Sequence, residues 1–259
     1  GYNPDNLVSV DINENNVTLA IFKNRTLEEF VRIETKLGKI VIAYSERRKR
    51  IEKGKSTKTR SVRKALRKLK ERKRKLDIIY KVARVIENVA RMYNARVVVG
   101  DVYVNKDDIL EKVVDDKLRH RIHQWSVSKL VGVLSQKPLY VECVPEEGSS
   151  NRDPFRKRRK LMYASAVIRF VKVSGGFRRR VKVEKATLRT ARLSNGWILD
   201  RDMVGSLNIG LKALNSDGSP MALGSTEPHE VRAKLVNPYR GLTQTTELKI
   251  LGIFKGTVV

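Results

Sequence analysis

The chain has 259 residues, of which 55 are Lys or Arg and 28 are Asp or Glu, a formal net charge of +27. That excess implies a polyanionic partner, most directly nucleic acid. The hydrophobic fraction of 41% supports a buried core. No apolar run reaches 18 residues, which excludes a membrane-spanning helix; a ribosomal-type role or an anionic membrane surface are the alternative readings of the charge, and no membrane partner is expected. A single cysteine, Cys143, excludes an internal disulfide and a four-thiolate zinc site. It sits in an apolar run and reads as a small buried residue.

Residues 7–13 (Leu-Val-Ser-Val-Asp-Ile-Asn) read as a strand, Glu14-Asn15-Asn16 as a turn, and Val17 to Phe22 as a second strand. Thr26 to Ile33 gives a third, so the chain opens on an antiparallel meander. The segment from Arg47 to Lys75 holds 17 Lys and Arg against two acids, Glu52 and Glu71. Lys53 to Thr57 reads as a loop between two helices. The second helix is expected to run unbroken from about Arg60 to Asn94, because no Gly or Pro interrupts it. Its stripe is Val62, Leu66, Leu69, Leu76, Ile79, Ala83, Ile86, Ala90 and Tyr93, at steps of three and four with one turn skipped at Lys73. Like charges at this density repel unless something neutralises them, so this helix is expected to lie along a polyanion. The candidate contacts are Arg47, Arg48, Lys49, Arg50, Arg60, Arg63, Lys64, Arg67 and Lys68.

Arg96 to Val104 reads as a buried parallel strand, since its apolar run is nearly continuous. Asp107 to Leu134 reads as helical and Pro138 to Val144 as a short strand. A turn-rich loop, Glu146 to Pro154, leads into a second basic cluster: Arg156, Lys157, Arg158, Arg159 and Lys160. Residues 168–183 read as a hairpin turning at Ser174-Gly175-Gly176, with Arg178, Arg179 and Arg180 just after. These two groups are further candidate phosphate contacts. Asp200 to Leu214 reads as a helix with Asp200 as N-cap. The last 45 residues read as irregular. Three strands, helix, strand, helix, strand and final helix make an α/β pattern with a mixed sheet.

Within this order three acids fall where carboxylates can converge. Asp11 interrupts the first apolar strand, Asp101 follows Val97-Val98-Val99-Gly100 at the end of the central strand, and Asp202 lies in the first turn of the last helix. A charged residue inside an apolar strand is costly unless paired or metal-bound. Hard divalent ions take oxygen ligands, and two of them about 4 Å apart can activate water and stabilise the leaving oxygen in phosphodiester hydrolysis.

The motifs carrying these acids resemble those of the TnpB-like (OrfB) family of transposon-encoded nucleases, relatives of the CRISPR effector nucleases. Val8-Ser9-Val10-Asp11-Ile12-Asn13 resembles the first RuvC motif. Val97-Val98-Val99-Gly100-Asp101-Val102 resembles the second, and Arg201-Asp202-Met203-Val204-Gly205-Ser206-Leu207-Asn208-Ile209 the third. Arg119 to Trp125 and Gly224 to Val231 are also similar to family segments. The resemblance runs over nearly the whole chain from Leu7. It implies an RNase H-like (RuvC) fold, a mixed sheet with helices on both faces and a long basic helical hairpin inserted. It also implies a DNA endonuclease using Mg²⁺ or Mn²⁺ at Asp11, Asp101 and Asp202, a guide RNA for the full-length protein, a monomer or weak dimer, and a cytoplasmic, prokaryotic and archaeal setting.

Two departures stand out. Gly100 falls where the second motif has its Glu, and glycine offers no side-chain ligand. Either Asp101 takes over, although neighbouring strand residues point to opposite faces, or the chain binds nucleic acid without cutting it. Gly148 to Phe155 stands where many members begin a zinc ribbon of two Cys pairs, so no zinc is expected. The expected organisation is a first RuvC part at 1–45, a basic helical insertion at 46–94 and a second RuvC part at 95–147. A basic loop and hairpin then replace the ribbon at 148–197, before the final helix and tail at 198–259. Full members carry a further N-terminal region for guide RNA, and this sequence starts just before the first motif, so guided targeting is expected only of a longer protein.

Overall fold

The computed structural model describes residues 2–53, 59–101, 127–146, 148–155, 162–163, 165–173, 176–184, 190–194, 198–214, 232–238 and 245–247. For Asp101, 162–163, 165–173, 176–184, 190, 198, 232–233 and 245–247 it describes the backbone alone. The opening meander forms as expected: β1 (Leu7–Ile12), β2 (Asn16–Lys23) and β3 (Thr26–Glu34) pair antiparallel in order. The other side of β1 pairs in parallel with β4 (Arg96–Asp101), and β4 in parallel with β5 (Val141–Pro145). This mixed arrangement is consistent with an RNase H-like sheet.

Both faces of the sheet are covered. Along β1, Val8, Val10 and Ile12 join the core under α3 (Glu71–Met92), with Ile78, Val82, Ile86 and Val89. Residues 127–134 form α4 on the same core through Val127, Leu130 and Leu134. On the other face, α5 (Arg201–Leu214) packs Val204, Leu207 and Leu211 with Leu7, Ala20, Phe22, Phe30 and Val98. Ten of the fourteen residues of α5 are buried, so it is a core helix on nearly all sides. Small residues let it approach closely: a Cβ on Gly210 would lie 2.3 Å from Phe22 Cε2. Ser9 Oγ ties the two elements by donating to Ser206 O at 2.6 Å.

Four expectations are corrected. The helix foreseen from Arg60 to Asn94 is two helices, α2 (Arg60–Lys68) and α3, broken at Lys70, whose φ is 54°. The skipped turn in the apolar stripe is the sequence trace of this break. α1 (Leu37–Glu52) contacts both helices, and Arg48 on α1 ion-pairs with Glu71 at the start of α3. Tertiary contacts override the local propensity to continue. The tail is not wholly irregular: β11 (Arg232–Val236) adds in parallel to β3, and β12 (Thr245–Glu247) pairs with β11, extending the sheet to seven strands. Cys143 is exposed rather than buried, because β5 is the edge strand. The hairpin is longer than expected, with β7 (Ser165–Val173) against β8 (Gly176–Glu184), and lies beside a small sheet of β6 (Met162–Tyr163), β9 (Thr190–Arg192) and β10 (Ile198–Asp200).

Candidate functional site

Asp11 occupies the second-to-last position of β1, beside Thr18 of β2, and is 4% exposed. Strand alternation puts it on the face that α5 covers, along with Leu7 and Ser9. The helix meets it at Gly205: a Cβ there would lie 2.6 Å from Asp11 Oδ2. Asp202 is one turn earlier on the same helix and therefore on the same face. Asp200 caps α5, accepting from the Asp202 backbone N–H at 2.8 Å, as a short acidic side chain does at an N-cap.

Polar side chains orient this group. Asn13 Nδ2 donates to Asp11 Oδ2 at 3.1 Å, and Asn16 Nδ2 donates to Asp202 Oδ2 at 2.9 Å. Arg32 on β3 is the cation of the cluster. Its guanidinium lies 2.8 Å from Glu34, 3.5 Å from Asp200 and 3.5 Å from Asp202. Burial alone would weaken its charge; the Glu34 hydrogen bond and the two aspartates reverse that and raise its pKa. Asp11 is different. Burial pushes its carboxyl well above the usual range, the negative charges of Glu146, Asp202 and Asp200 push the same way, and only the Asn13 hydrogen bond opposes them.

The structure thus brings Asp11 and Asp202 into one acidic group with Asp200 and Glu146. The Asp101 backbone ends β4 beside Pro145, and its side chain lies outside the described residues. Among the described residues, no three His, Cys, Asp or Glu side chains stand close enough to hold a metal ion together. The donor chemistry, carboxylate oxygens throughout, still suits a hard divalent ion.

Sequence reasoning missed Glu146, Arg32 and the two asparagines. Glu146 directly follows β5, the parallel neighbour of β4, and its position at the carboxyl end of a strand was the available signal. Behind the acids, Asn208 Nδ2 donates to Ser149 O at 2.6 Å and Arg152 O at 2.8 Å, fastening the 148–152 loop to α5.

The second candidate surface is cationic. Arg47, Lys49 and Arg50 on α1 and Arg60, Arg63, Lys64, Arg67 and Lys68 on α2 are exposed. Arg48 is half-buried in its ion pair with Glu71, which also meets Lys75 at 3.2 Å. Arg178, Arg179 and Arg180 lie on β8, and Arg156 to Lys160 fall outside the described residues. No described helix is long and apolar enough to cross a membrane.

With the acids and the basic face in place, comparison with known proteins is informative. Over 132 residues, 49% of this chain and 47% of the relative, the sequence is 29% identical to a TnpB-like protein of Methanocaldococcus jannaschii. The chain is similar to a TnpB-like protein. The matched stretch spans about half the length of that relative. No family model matches the chain.

Proposed function

We propose that this chain is the nuclease domain of a TnpB-like, transposon-associated protein, hydrolysing DNA phosphodiester bonds at the Asp11–Asp202 cluster. One observation carries the reading. A buried aspartate inside β1 and a partly exposed one in the first turn of a core helix, far apart in sequence, lie in one acidic group on a strongly cationic chain. Asp11 and Asp202 would hold Mg²⁺ or Mn²⁺, which supplies a Lewis acid for attack on phosphorus. The chain's own residues do the rest. Asn13 and Asn16 aim the carboxylates, Arg32 balances Asp200 and Asp202, and α1 and α2 draw in the phosphate backbone. A guide RNA belongs to this reading only for a longer protein.

A second reading, a relative that binds nucleic acid without cutting, has two observations of its own: glycine at position 100, and a protein cation already paired with Asp200 and Asp202. Labelled single- and double-stranded DNA incubated with Mg²⁺ or Mn²⁺ separates the two, comparing wild type with Asp11→Ala. Products from wild type that vanish in the variant and with chelator are the expected result. Equal background in both, with salt-sensitive binding retained, would replace the nuclease reading with the second.

A further inference from the structure

The nuclease reading leaves open what holds the DNA strand near α5. We infer that one face of the β7–β8 ribbon, carrying Arg169, Arg178, Arg180 and Lys182, binds the phosphodiester backbone of the DNA substrate. This rests on the nuclease reading and adds a substrate-binding surface to it.

Register divides the ribbon into two unlike faces. Residues directly opposite in an antiparallel pair share a face, and successive residues alternate between faces. Arg169 is opposite Arg180, Val171 opposite Arg178 and Val167 opposite Lys182, so these positions fall on one face. Glu184, the one acid of β7 and β8, shares it at the far end, opposite Ser165. The other face holds Ala166, Ile168, Phe170, Phe177, Val181 and Val183, together with Lys172 and Arg179. The three consecutive arginines of β8 are therefore not equivalent. Arg178 and Arg180 join Arg169 and Lys182, whereas Arg179 falls on the mainly apolar face.

Charge and placement each point to a nucleic-acid backbone. Like charges directly opposite on a sheet destabilise it; Arg169 and Arg180 are such a pair, with Arg178 and Lys182 on either side along β8. A polyanion removes that repulsion. Alternate residues of a strand recur about every 6.8 Å, so Arg178, Arg180 and Lys182 form a line of cations, which suits a chain of phosphates better than one small anion. Placement follows from the small sheet. β7 starts at Ser165, just after Tyr163 of β6; Tyr163 is in register with Ala191 of β9, and Ala191 with Leu199 of β10. The base of the ribbon is thus two strand spacings, about 10 Å, from Leu199, and the next residue, Asp200, caps α5. Arg169 lies about 14 Å along the ribbon from Ser165. Even laid end to end, these lengths keep the cationic face within one turn of duplex DNA, about 34 Å, of Asp200.

Fluorescence anisotropy with labelled double-stranded DNA, titrated at several salt concentrations without divalent metal, tests this on the full chain. Arg169→Gln with Arg180→Gln removes two charges from the cationic face, and Lys172→Gln with Arg179→Gln removes two from the other. The first pair should lower the slope of log affinity against log salt by about 1.8, as two lost phosphate contacts require, and the second should leave it unchanged. Arg180→Glu separates binding from folding. It sets an acid opposite Arg169, so it should melt no lower than wild type while binding DNA at least about tenfold more weakly. If both double variants lower the slope alike, or neither does, the inference falls; cleavage by wild type that Asp11→Ala abolishes would then leave the nuclease reading standing. If the slopes separate as expected but wild type cuts nothing, the surface stands and the nuclease reading falls. A loss seen only with RNA of the same sequence would overturn the assignment to DNA.

Discussion

Gly205→Ala probes the junction between α5 and Asp11 most directly. The new methyl would lie 2.6 Å from Asp11 Oδ2, a distance that real Cβ atoms essentially never show, and a tight 3.1 Å from Cγ. The carboxylate is buried on a central strand and α5 is held by its apolar face, so neither yields freely. Overpacking of this kind costs about 1–3 kcal/mol, whereas alanine in place of glycine inside a helix gains about 1 kcal/mol. Gly132 on α4 isolates the second effect: it is exposed, and a Cβ there meets nothing within 4 Å. Gly132→Ala should therefore raise the melting temperature, and Gly205→Ala should fall below it by about 1–3 kcal/mol. For a chain of this size that is roughly 2–4 °C per kcal/mol in differential scanning calorimetry. A Gly205→Ala protein as stable as Gly132→Ala would refute the close approach of α5 to Asp11, and with it the placement of Asp202 beside that carboxylate.

Arg32→Met should destabilise the protein by about 1–3 kcal/mol in urea titration at neutral pH, since it leaves Glu34, Asp200 and Asp202 without their cation in a partly buried setting; an unchanged midpoint would show the ion pairs to be dispensable. Asn208→Ala should cost about 2 kcal/mol by orphaning the buried carbonyl of Ser149 and the part-buried one of Arg152, and should speed proteolytic nicking within 148–152; unaltered cleavage there would argue against the anchor. Glu87 is held below the ordinary carboxylate range, chiefly by the hydrogen bond from Lys137. A depressed carboxylate pKa adds stability above the unfolded value, near 4.5, and loses it as pH falls through the folded one. Glu87→Gln should thus melt lower than wild type at pH 7, with the difference closing in acid; a pH-independent difference would point to packing.

The meander and β4 were legible because their cause is local. Alternating apolar residues from Leu7 to Ile33 write one strand face directly into the sequence, and the unbroken valines of β4 announce a strand covered on both sides. Asp200 was readable as a cap for the same reason, and its bond to the Asp202 N–H bears that out. The break at Lys70 was not, because nothing in Leu69-Lys70 forbids a helix; contacts with α1 impose the turn. β11 escaped notice because a five-residue strand gains its stability by pairing with β3 from far along the chain. Glu146 was read as part of a loop for a related reason. Its chemical neighbourhood is set by parallel register with a strand some forty residues earlier, a relation that no local window contains.

Because α5 is buried on nearly all sides and closes the face formed by Leu7, Ala20, Phe22, Phe30 and Val98, the order of synthesis matters. The ribosome delivers the meander first and α5 only after most of the chain has followed. At about 5–20 residues per second, the apolar face under α5 stays uncovered for on the order of ten seconds or more. The nascent protein must spend that interval as a half-covered sheet, prone to association and a natural client for a chaperone. Asp202 arrives with the same helix, so no acidic centre exists until the final closing of the core, and a truncated or stalled chain would carry the cationic helices without it.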